Sequence, residues 1–299
     1  MFSYVIGLLA ILLLVANPIN QYFLPQNLGA KNSLSPRPQL NESLLAIDGA
    51  NATVPNCPAD AYGARILCRE PLVVYLEGFL SESERQHLLE ISEPIFEPST
   101  VTHDSRATHR DTTVRDSSVA LVPRTDIVRC IEARARAFQG WRRDLWIERL
   151  RTQRYVAGGH YNHHFDWSSN SDGWGRVSSF MAWVDAADGL EGGGTEFPLL
   201  ETTTKGNVLK WCDLIECQGK SAGDEMDREE QKRLGAEGKT EEEEGQRKGT
   251  TFKAVPGNAV YWENFAPDGR GYDETWHAGL PVKTGVKVGL NIWSFGRIE

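Results

Sequence analysis

Three residues near the middle of the 299-residue chain, His164, Phe165 and Asp166, form a His-x-Asp triplet. On a β-strand, residues two apart project from the same face, so this imidazole and this carboxylate would both point toward one ion. His277 is the only histidine C-terminal to the triplet and would complete a set of two histidines and one carboxylate. Such a set leaves three metal positions open, which suits non-haem Fe(II) that binds a cosubstrate and oxygen together.

Two further histidines, His160 and His163, lie beside the triplet. Only His164 has an aspartate two residues later. Because neighbouring residues on a strand alternate in direction, His163 is expected to point away from an ion that His164 faces. Whether His163 supports the site from outside or is simply solvated stays open.

A lysine follows His277 by ten residues, at Lys287. A buried lysine needs an anionic partner or it loses its charge, and a bound dicarboxylate would supply that partner. A surface lysine whose ammonium reaches solvent is the alternative.

Several motifs accompany these residues in a fixed order. They are Val74-Tyr75-Leu76-Glu77-Gly78-Phe79-Leu80-Ser81, then Tyr155, Gly159 and Tyr161 before the triplet, Gly192-Gly193-Gly194-Thr195-Glu196-Phe197-Pro198, Gly257-Asn258-Ala259-Val260-Tyr261-Trp262, and finally His277, Gly279, Pro281, Gly285, Lys287 and Trp293. Together they resemble the prolyl 4-hydroxylase α-subunit type of Fe(II)/2-oxoglutarate dioxygenase. The resemblance extends from about Leu72 to Ser294.

The resemblance implies a role for each matching position. His164, Asp166 and His277 would hold Fe(II), with His277 on a strand across the barrel from the triplet. The remaining positions would surround the cosubstrate. Lys287 and the Tyr155 hydroxyl would bind the far carboxylate of 2-oxoglutarate, and Thr195 and Trp293 would line that pocket.

Substrate contacts are implied at three positions: Arg115, Ser117 and Arg176. Arg115-Asp116-Ser117 lies where the family often has Arg-Thr-Ser or Arg-Ser-Ser near its peptide groove, and Arg176 precedes the apolar run 177–184. Both arginines are equally compatible with an exposed surface. Asp116 replaces a small hydroxyl residue and Gly194 replaces a common acidic residue, and both departures bear on the substrate rather than on the metal.

The resemblance implies an α+β, mainly β, fold: a double-stranded β-helix (jelly-roll) core with supporting N-terminal helices. Pro71–Leu76 has a strand pattern, and Ser81 with Glu84 forms a capping box that begins a helix reaching about Ile91. A second helix is predicted over Asp126–Gln139, ended by Gly140. The apolar face of this second helix would comprise Ile127, Ile131, Ala135 and Phe138. Beyond it, short β-like segments broken by Gly and Asn or Asp are typical of a sandwich or barrel.

The N-terminal part of the chain and one internal segment have compositions that differ from the rest of the domain. Residues 1–24 resemble a signal peptide or signal anchor, because Phe2–Ala16 is an apolar run without charge. The run is shorter than the roughly 20 residues of a membrane span, so cleavage and anchoring both stay open. Residues 25–60 have the composition of a flexible linker with two sequons, at Asn41 and Asn51. The catalytic domain would occupy 61–299. A mobile charged surface insertion is predicted at about 218–249, with an acidic binding segment as the alternative.

The chain has five cysteines, an odd number, and some of them could form disulfides in an oxidising compartment. Cys57 with Cys68 and Cys212 with Cys217 are close enough in sequence to pair, whereas Cys130 is expected to be a buried free thiol. Zinc is the rival interpretation, but no pair has the C-x2-C spacing of a zinc site.

The resemblance implies hydroxylation of prolyl residues in a peptide or protein, coupled to decarboxylation of 2-oxoglutarate to succinate and CO2. It would require Fe(II), 2-oxoglutarate, O2 and L-ascorbate as reductant. Alternatives are hydroxylation of another amino acid or small metabolite, or a non-catalytic double-stranded β-helix module. The net charge of −9 argues against nucleic acid as a partner. No partner subunit is required by the sequence, and the endoplasmic reticulum lumen or secretory pathway, with possible membrane anchoring, is the expected location.

Overall fold

The computed structural model describes residues 38–39, 41, 43–103, 107–168, 173–201, 211–217 and 249–298. The chain divides into two units, Met1–Gln39 and Leu40–Glu299, and nearly all described residues belong to the second. The predicted targeting segment and nearly all of the charged insertion lie outside the described residues. Within them, no helix combines the length and apolar character needed to cross a membrane.

Two α-helices precede the central strands of the domain: α1 is Glu82–Ser92 and α2 is Asp126–Phe138. Among the described residues, 3-10 turns cover Glu93–Ile95 and Asp273–Thr275. The strands are β1 Gly63–Arg69, β2 Leu72–Glu77, β3 Glu97–Pro98, β4 Val101–His103, β5 Ala107–His109, β6 Arg115–Asp116, β7 Ser118–Leu121, β8 Leu145–Ile147, β9 Arg151–Tyr155, β10 His160–His164, β11 Trp174–Ala186, β12 Glu191–Gly192, β13 Thr195–Phe197, β14 Thr250–Phe252, β15 Ala259–Glu263, β16 His277–Gly279, β17 Val282–Thr284 and β18 Lys287–Arg297.

Most of these strands form two antiparallel sheets. The larger sheet has the order β1-β2-β15-β11-β18-β9-β7-β3, with β8 also paired to β18, and the smaller has the order β14-β13-β16-β10-β6. Side chains of both sheets share one buried cluster, in which Tyr75 and Trp183 of the larger sheet meet Phe197 and Phe252 of the smaller. Two sheets facing each other over a common core form the predicted double-stranded β-helix.

The larger sheet is buried on both faces, and side-chain alternation divides its residues between them. On β18, Val288, Leu290 and Ile292 join the core that lies under the helices. The alternate residues of the same strand, which include Lys287 and Asn291, line the cavity between the sheets. The period of two therefore places Lys287 and Asn291 on the inner face, toward the candidate site.

The helices match their sequence signals and cover the outer face of the larger sheet. The Ser81 hydroxyl accepts a hydrogen bond from the Glu84 backbone N–H, and the Glu84 carboxylate accepts one from the Ser81 N–H, which completes the capping box at the start of α1. In α2, Ile131 and Ala135 are fully buried in the helix-side core. Gly140 follows with a φ of +73°, a conformation that ends a helix readily only at glycine.

The segment 43–60 differs from the predicted linker, because it packs against the domain. Leu45 is 6% exposed and forms a β-bridge with Glu148. Asp48 accepts hydrogen bonds from Arg129 at 3.1 Å, and its carboxylate lies 2.9 Å from Arg124. These ion pairs and the buried Leu45 order a stretch whose polar composition predicted a flexible linker.

The disulfides correct one prediction and confirm another. Cys57 bonds to Cys130 of α2, with 5.4 Å between the Cα atoms, so the expected pairing with Cys68 and the free thiol at Cys130 are both wrong. Cys68 is the buried free cysteine instead. The pairing of Cys212 with Cys217 is confirmed. Segment 43–60 packs against α2, and closeness in the sequence does not reveal such a tertiary contact.

Candidate active site

His164, Asp166 and His277 meet between the two sheets. One ligand atom from each lies within 4.8 Å of the others. The Asp166 carboxylate oxygens lie 3.8 Å from His164 Nε2 and 3.9 Å from His277 Nε2. The three residues predicted from the sequence are therefore close enough to bind one ion.

The backbone positions these ligands differently from the sequence-based expectation. Strand β10 ends at His164, and Asp166 lies in the bend that follows rather than on the strand. His277 begins β16, which pairs directly with β10 and places His277 opposite His164. The expectation that the distal histidine lies across the barrel is thus wrong: the two imidazoles are neighbours on adjacent antiparallel strands.

Backbone carbonyls orient both imidazole rings. Nδ1 of His164 lies 2.8 Å from the Asn162 carbonyl, and Nδ1 of His277 lies 2.8 Å from the Thr275 carbonyl. Since a carbonyl only accepts, each Nδ1 carries the proton and donates it, which leaves the Nε2 lone pair free toward the other ligands. This arrangement fixes the tautomer that a metal requires.

The charge state of the triad also suits a cation. Burial and, to a smaller extent, His277 together lower the pKa of His164 to about 3, so the ring is neutral at physiological pH. Burial tends to raise the pKa of Asp166, but the two histidines and Arg176 outweigh it and the pKa lies below its ordinary value. A neutral imidazole beside an ionised carboxylate is the protonation state of metal ligands.

Trp293 holds the carboxylate of the triad. Its indole Nε1 donates to Asp166 Oδ2 at 2.9 Å. The sequence predicted that Trp293 lines the cosubstrate pocket, and the structure places its side chain against the metal-facing aspartate. A hydrogen bond of this kind fixes the orientation of the carboxylate, whose free oxygen Oδ1 lies 3.8 Å from His164 Nε2.

A narrow cavity adjoins the triad, and Lys287 lies inside it. The side chain is 1% exposed, and its Nζ donates to the Gly193 carbonyl at 2.5 Å. Among the described residues no carboxylate lies within ion-pair distance of this ammonium. Burial without a counter-charge lowers the pKa of Lys287 to about 8.

The rest of the cavity wall is polar, and some of its polar atoms have no hydrogen-bond partner in the described residues. Tyr155 donates its hydroxyl to Gln153 Oε1 at 2.6 Å, and its ring lies 4.8 Å from Lys287 Nζ. Gln153 Nε2 and Thr195 Oγ1 are buried, and neither has a hydrogen-bond partner in the described residues. Buried polar groups without partners are costly, so this wall is built for a polar ligand.

Two predicted substrate arginines stack on aromatic rings that contact the triad. The Arg115 guanidinium lies 4.6 Å from the centre of the Tyr161 ring, which itself stacks on His164 at 3.8 Å. The Arg176 guanidinium lies 3.9 Å from the centre of the Trp293 ring. The structure therefore brings both arginines next to the metal-facing residues.

Further side chains fix these arginines. Arg176 donates two hydrogen bonds to the Glu148 carboxylate, at 2.6 and 3.0 Å. Ser117, the third predicted substrate residue, accepts a hydrogen bond from Arg115 Nε at 3.1 Å. Ser117 therefore positions Arg115 in this structure.

The two departures from the family pattern differ in their surroundings. A Cβ at Gly194 would lie 2.7 Å from the Thr251 side chain, so a larger residue there would require that side chain to shift. The Asp116 carboxylate lies 3.8 Å from Arg110, and neither group is part of the triad.

His163 lies outside the triad, as strand alternation predicts. Its Nε2 is 2.8 Å from Glu196 Oε2, and its ring stacks on Trp276. His160 lies near the carbonyls of Gly158 and Thr113.

Sequence reasoning missed three polar residues of the site: Gln153, Asn291 and Arg151. A signal for them existed, since Arg151 and Gln153 precede Tyr155 at intervals of two on β9 and so share its inward face. Asn291 lies on β18 at even spacing from Lys287. On both strands, the residues at even spacing from the motif residues Tyr155 and Lys287 share their face.

Comparison with known proteins agrees with the motifs. No protein-family model matches the chain. The chain is 26% identical to the probable prolyl 4-hydroxylase 3 of Arabidopsis thaliana over 234 residues, which covers 76% of this chain and 70% of the plant protein. It is 24% identical to prolyl 4-hydroxylase 5 of the same plant over 242 residues, covering 76% and 69% of the two chains. These relatives confirm the resemblance to prolyl 4-hydroxylases.

Among solved structures, the chain is similar to the viral collagen prolyl hydroxylase of Paramecium bursaria Chlorella virus-1, determined as a 2-oxoglutarate complex. The identity is 20% and the TM-score is 0.47, with 75% of this chain and 96% of that chain covered.

Proposed function

We propose that this chain is an Fe(II)- and 2-oxoglutarate-dependent dioxygenase of the prolyl 4-hydroxylase kind, and that it hydroxylates prolyl residues of a peptide or protein. The observation that carries the proposal is the convergence of His164, Asp166 and His277 beside a cavity that holds the buried Lys287. The curated relatives with prolyl 4-hydroxylase names support it.

The triad fits Fe(II) by the chemistry of its donors. Two neutral imidazole nitrogens and one carboxylate oxygen suit Fe(II), and three ligands leave positions for a cosubstrate and oxygen. The carbonyls of Asn162 and Thr275 hold the two rings, and Trp293 holds the carboxylate. When bound, Fe(II) and 2-oxoglutarate supply oxygen activation, with decarboxylation of the cosubstrate to succinate and CO2.

The cavity fits 2-oxoglutarate by charge and by hydrogen bonding. Lys287 offers a buried cation that has no carboxylate partner in the described protein, and a dicarboxylate offers the anion that it lacks. Gln153 Nε2 and Thr195 Oγ1 offer unused polar atoms in the same wall. We assign Tyr155 to this wall as well, since its hydroxyl can turn from Gln153 to a ligand carboxylate.

Aromatic residues beside the triad supply a surface for the substrate. Phe165 lies 4.5 Å from Trp167 and 4.6 Å from Trp276, measured between ring centres, and all three side chains are partly exposed. Proline-rich segments in the extended polyproline conformation dock on aromatic-lined grooves. A partly exposed aromatic patch next to the metal ligands therefore favours a proline-containing peptide over a small metabolite.

We also infer that the enzyme works in the secretory pathway and that ascorbate serves as its reductant. Two disulfides support an oxidising compartment, and Asn41 and Asn51 of the two sequons are exposed.

The test is incubation of the Fe(II)-loaded protein with 2-oxoglutarate, ascorbate and proline-rich peptides, with succinate and peptide mass measured together. We expect the peptides to gain one oxygen in proportion to succinate, and matched peptides with alanine in place of proline to gain none. His164→Ala should abolish both products, whereas His160→Ala should retain them. Wild-type protein that binds Fe(II) but oxidises no peptide would contradict the proposal.

A further inference from the structure

Three guanidinium groups gather around the aromatic rings that contact the triad. Arg115 stacks on Tyr161, whereas Arg176 and Arg151 both lie against the Trp293 ring, at 3.9 and 5.6 Å from its centre. We call these three residues the arginine cluster. Tyr161 contacts His164 and Trp293 contacts Asp166, so one aromatic side chain separates the arginine cluster from the metal-facing residues.

The strand register places Arg151 at the opposite end of the inner face from the cosubstrate cavity. On β9 and β18, Tyr155 pairs with Lys287 and Arg151 pairs with Asn291. Residues two apart on a strand are separated by roughly 7 Å, so Arg151 lies two such steps from the lysine end. Arg151 is therefore placed to meet the substrate rather than the far carboxylate of 2-oxoglutarate.

The cluster has more positive charge than its protein partners balance. Glu148 forms an ion pair with Arg176 at 2.6 Å. Among the described residues, no carboxylate lies within ion-pair distance of Arg151 or Arg115. Arg115 also has a buried terminal nitrogen without a hydrogen-bond partner.

The electrostatic environment of Arg151 reflects this excess. Burial lowers the pKa of its guanidinium, Glu148 opposes that effect, and Arg176 and Arg115 lower the pKa further. The neighbouring site does not balance the positive charge of the arginine cluster. With Fe(II) and dianionic 2-oxoglutarate bound, their charges and those of Asp166 and Lys287 sum to zero. Since arginine stays protonated in proteins, the excess charge calls for an external anion.

We propose that the arginine cluster binds a carboxylate of the substrate beside the residue that is hydroxylated, with Arg151 and Arg115 as its contacts. This inference rests on the proposed function and narrows the substrate to acidic peptides. The carboxylate comes either from an Asp or Glu side chain next to the target proline or from a free C-terminus at that proline. Both sources offer the planar anion that a guanidinium binds in a bidentate manner.

The experiment compares peptides that differ only in this charge. One set places Glu or Gln directly before or after the proline, and the other ends at the proline as a free acid or as an amide. We expect kcat/KM to be about tenfold higher for at least one acidic peptide than for its neutral match, as a single new ion pair implies. Equal rates for every acidic and neutral pair would overturn the inference while leaving the proposed function intact.

Two variants separate recognition from a structural role. Arg151→Gln should reduce the acidic preference to about threefold or less, because KM rises more for the acidic peptide than for its neutral match. Arg154→Gln is the matched control, because Arg154 follows on β9, faces the other side and pairs with Glu93. A preference that persists in Arg151→Gln overturns the assignment, and oxidation of no peptide at all by the wild type overturns the proposed function and this inference together.

Discussion

Lys287 illustrates how single residues of the site combine stability and function. Its ammonium is buried, and the described protein offers it the Gly193 carbonyl but no counter-charge. Such a group is unfavourable in the ligand-free fold and becomes favourable when a dicarboxylate binds. Gln153 and Thr195 follow the same logic, since their unpartnered atoms face the same cavity.

The lowered pKa of Lys287 predicts a pH-dependent affinity for 2-oxoglutarate. A dianion binds the ammonium form, and the ligand-free pKa is about 8, so the Kd should be level below that pH and rise above it. The rise should approach tenfold per pH unit. Titration calorimetry with Mn(II) in place of Fe(II) measures it.

Lys287→Arg is the control for this prediction, because a guanidinium stays protonated over the whole range. We expect weaker binding with no rise above pH 8. The same rise in both proteins would show that another group titrates.

The hydrogen bond from Trp293 predicts a role in metal affinity. Trp293→Phe keeps a ring under Arg176 but removes the donor to Asp166 Oδ2. We expect metal affinity to fall tenfold to a hundredfold, as losses of such outer partners typically cause. Competition with a chelator measures the change, and Trp146→Phe on β8 serves as the control. Unchanged affinity in Trp293→Phe would exclude the positioning role.

At the scale of elements, two strand pairs build the site. The pairing of β10 with β16 sets His164 opposite His277, and the pairing of β9 with β18 sets Tyr155 opposite Lys287. Each pair joins residues far apart in sequence, and the antiparallel register fixes their separation to that of direct neighbours. The site is therefore placed on the sheets themselves, apart from Asp166, which lies just beyond the end of β10.

The segment 43–60 is tied to α2 at one covalent point. Removing the disulfide with Cys57→Ala should lower the free energy of unfolding by about 2–4 kcal/mol, because it opens a loop with a sequence separation of 73. We also expect protease to cleave within 43–60 under native conditions. Urea denaturation and limited proteolysis check these outcomes.

Cys68→Ala provides the comparison, because it removes a buried thiol that forms no disulfide. That variant should keep the segment protected. Equal protection of the segment in Cys57→Ala would contradict the proposed anchoring.

At the scale of the whole molecule, the sequence predicted the fold class and the metal-facing residues better than the tertiary contacts that join distant segments. Ser81 with Glu84 and the apolar face of Asp126–Phe138 identified both helices, because these signals are local. The Cys57–Cys130 bond could not be predicted, because it depends on where an extended segment crosses α2. Likewise, only the assembled structure shows that Trp293 reaches Asp166 and that Arg151 adds to the charge beside it.

The proposed secretory location predicts glycosylation of the chain. Asn41 and Asn51 are exposed, and each lies in an Asn-x-Ser or Asn-x-Thr sequon. Protein made in the secretory pathway of eukaryotic cells should lose mass in two steps, one with Asn41→Gln and one with Asn51→Gln. Gel mobility before and after N-glycosidase treatment measures this, and an unmodified chain would count against the location.

The central claim is that the triad transfers oxygen from O2 to a prolyl residue at the expense of 2-oxoglutarate. The most direct measurement is turnover of a proline-containing peptide under ¹⁸O₂, with both products analysed by mass spectrometry. We predict one ¹⁸O in the hydroxylated peptide and one in succinate, in equal amounts, with neither product formed by His277→Ala. Peptide oxidation without isotope from O2, or without succinate, would contradict the claim.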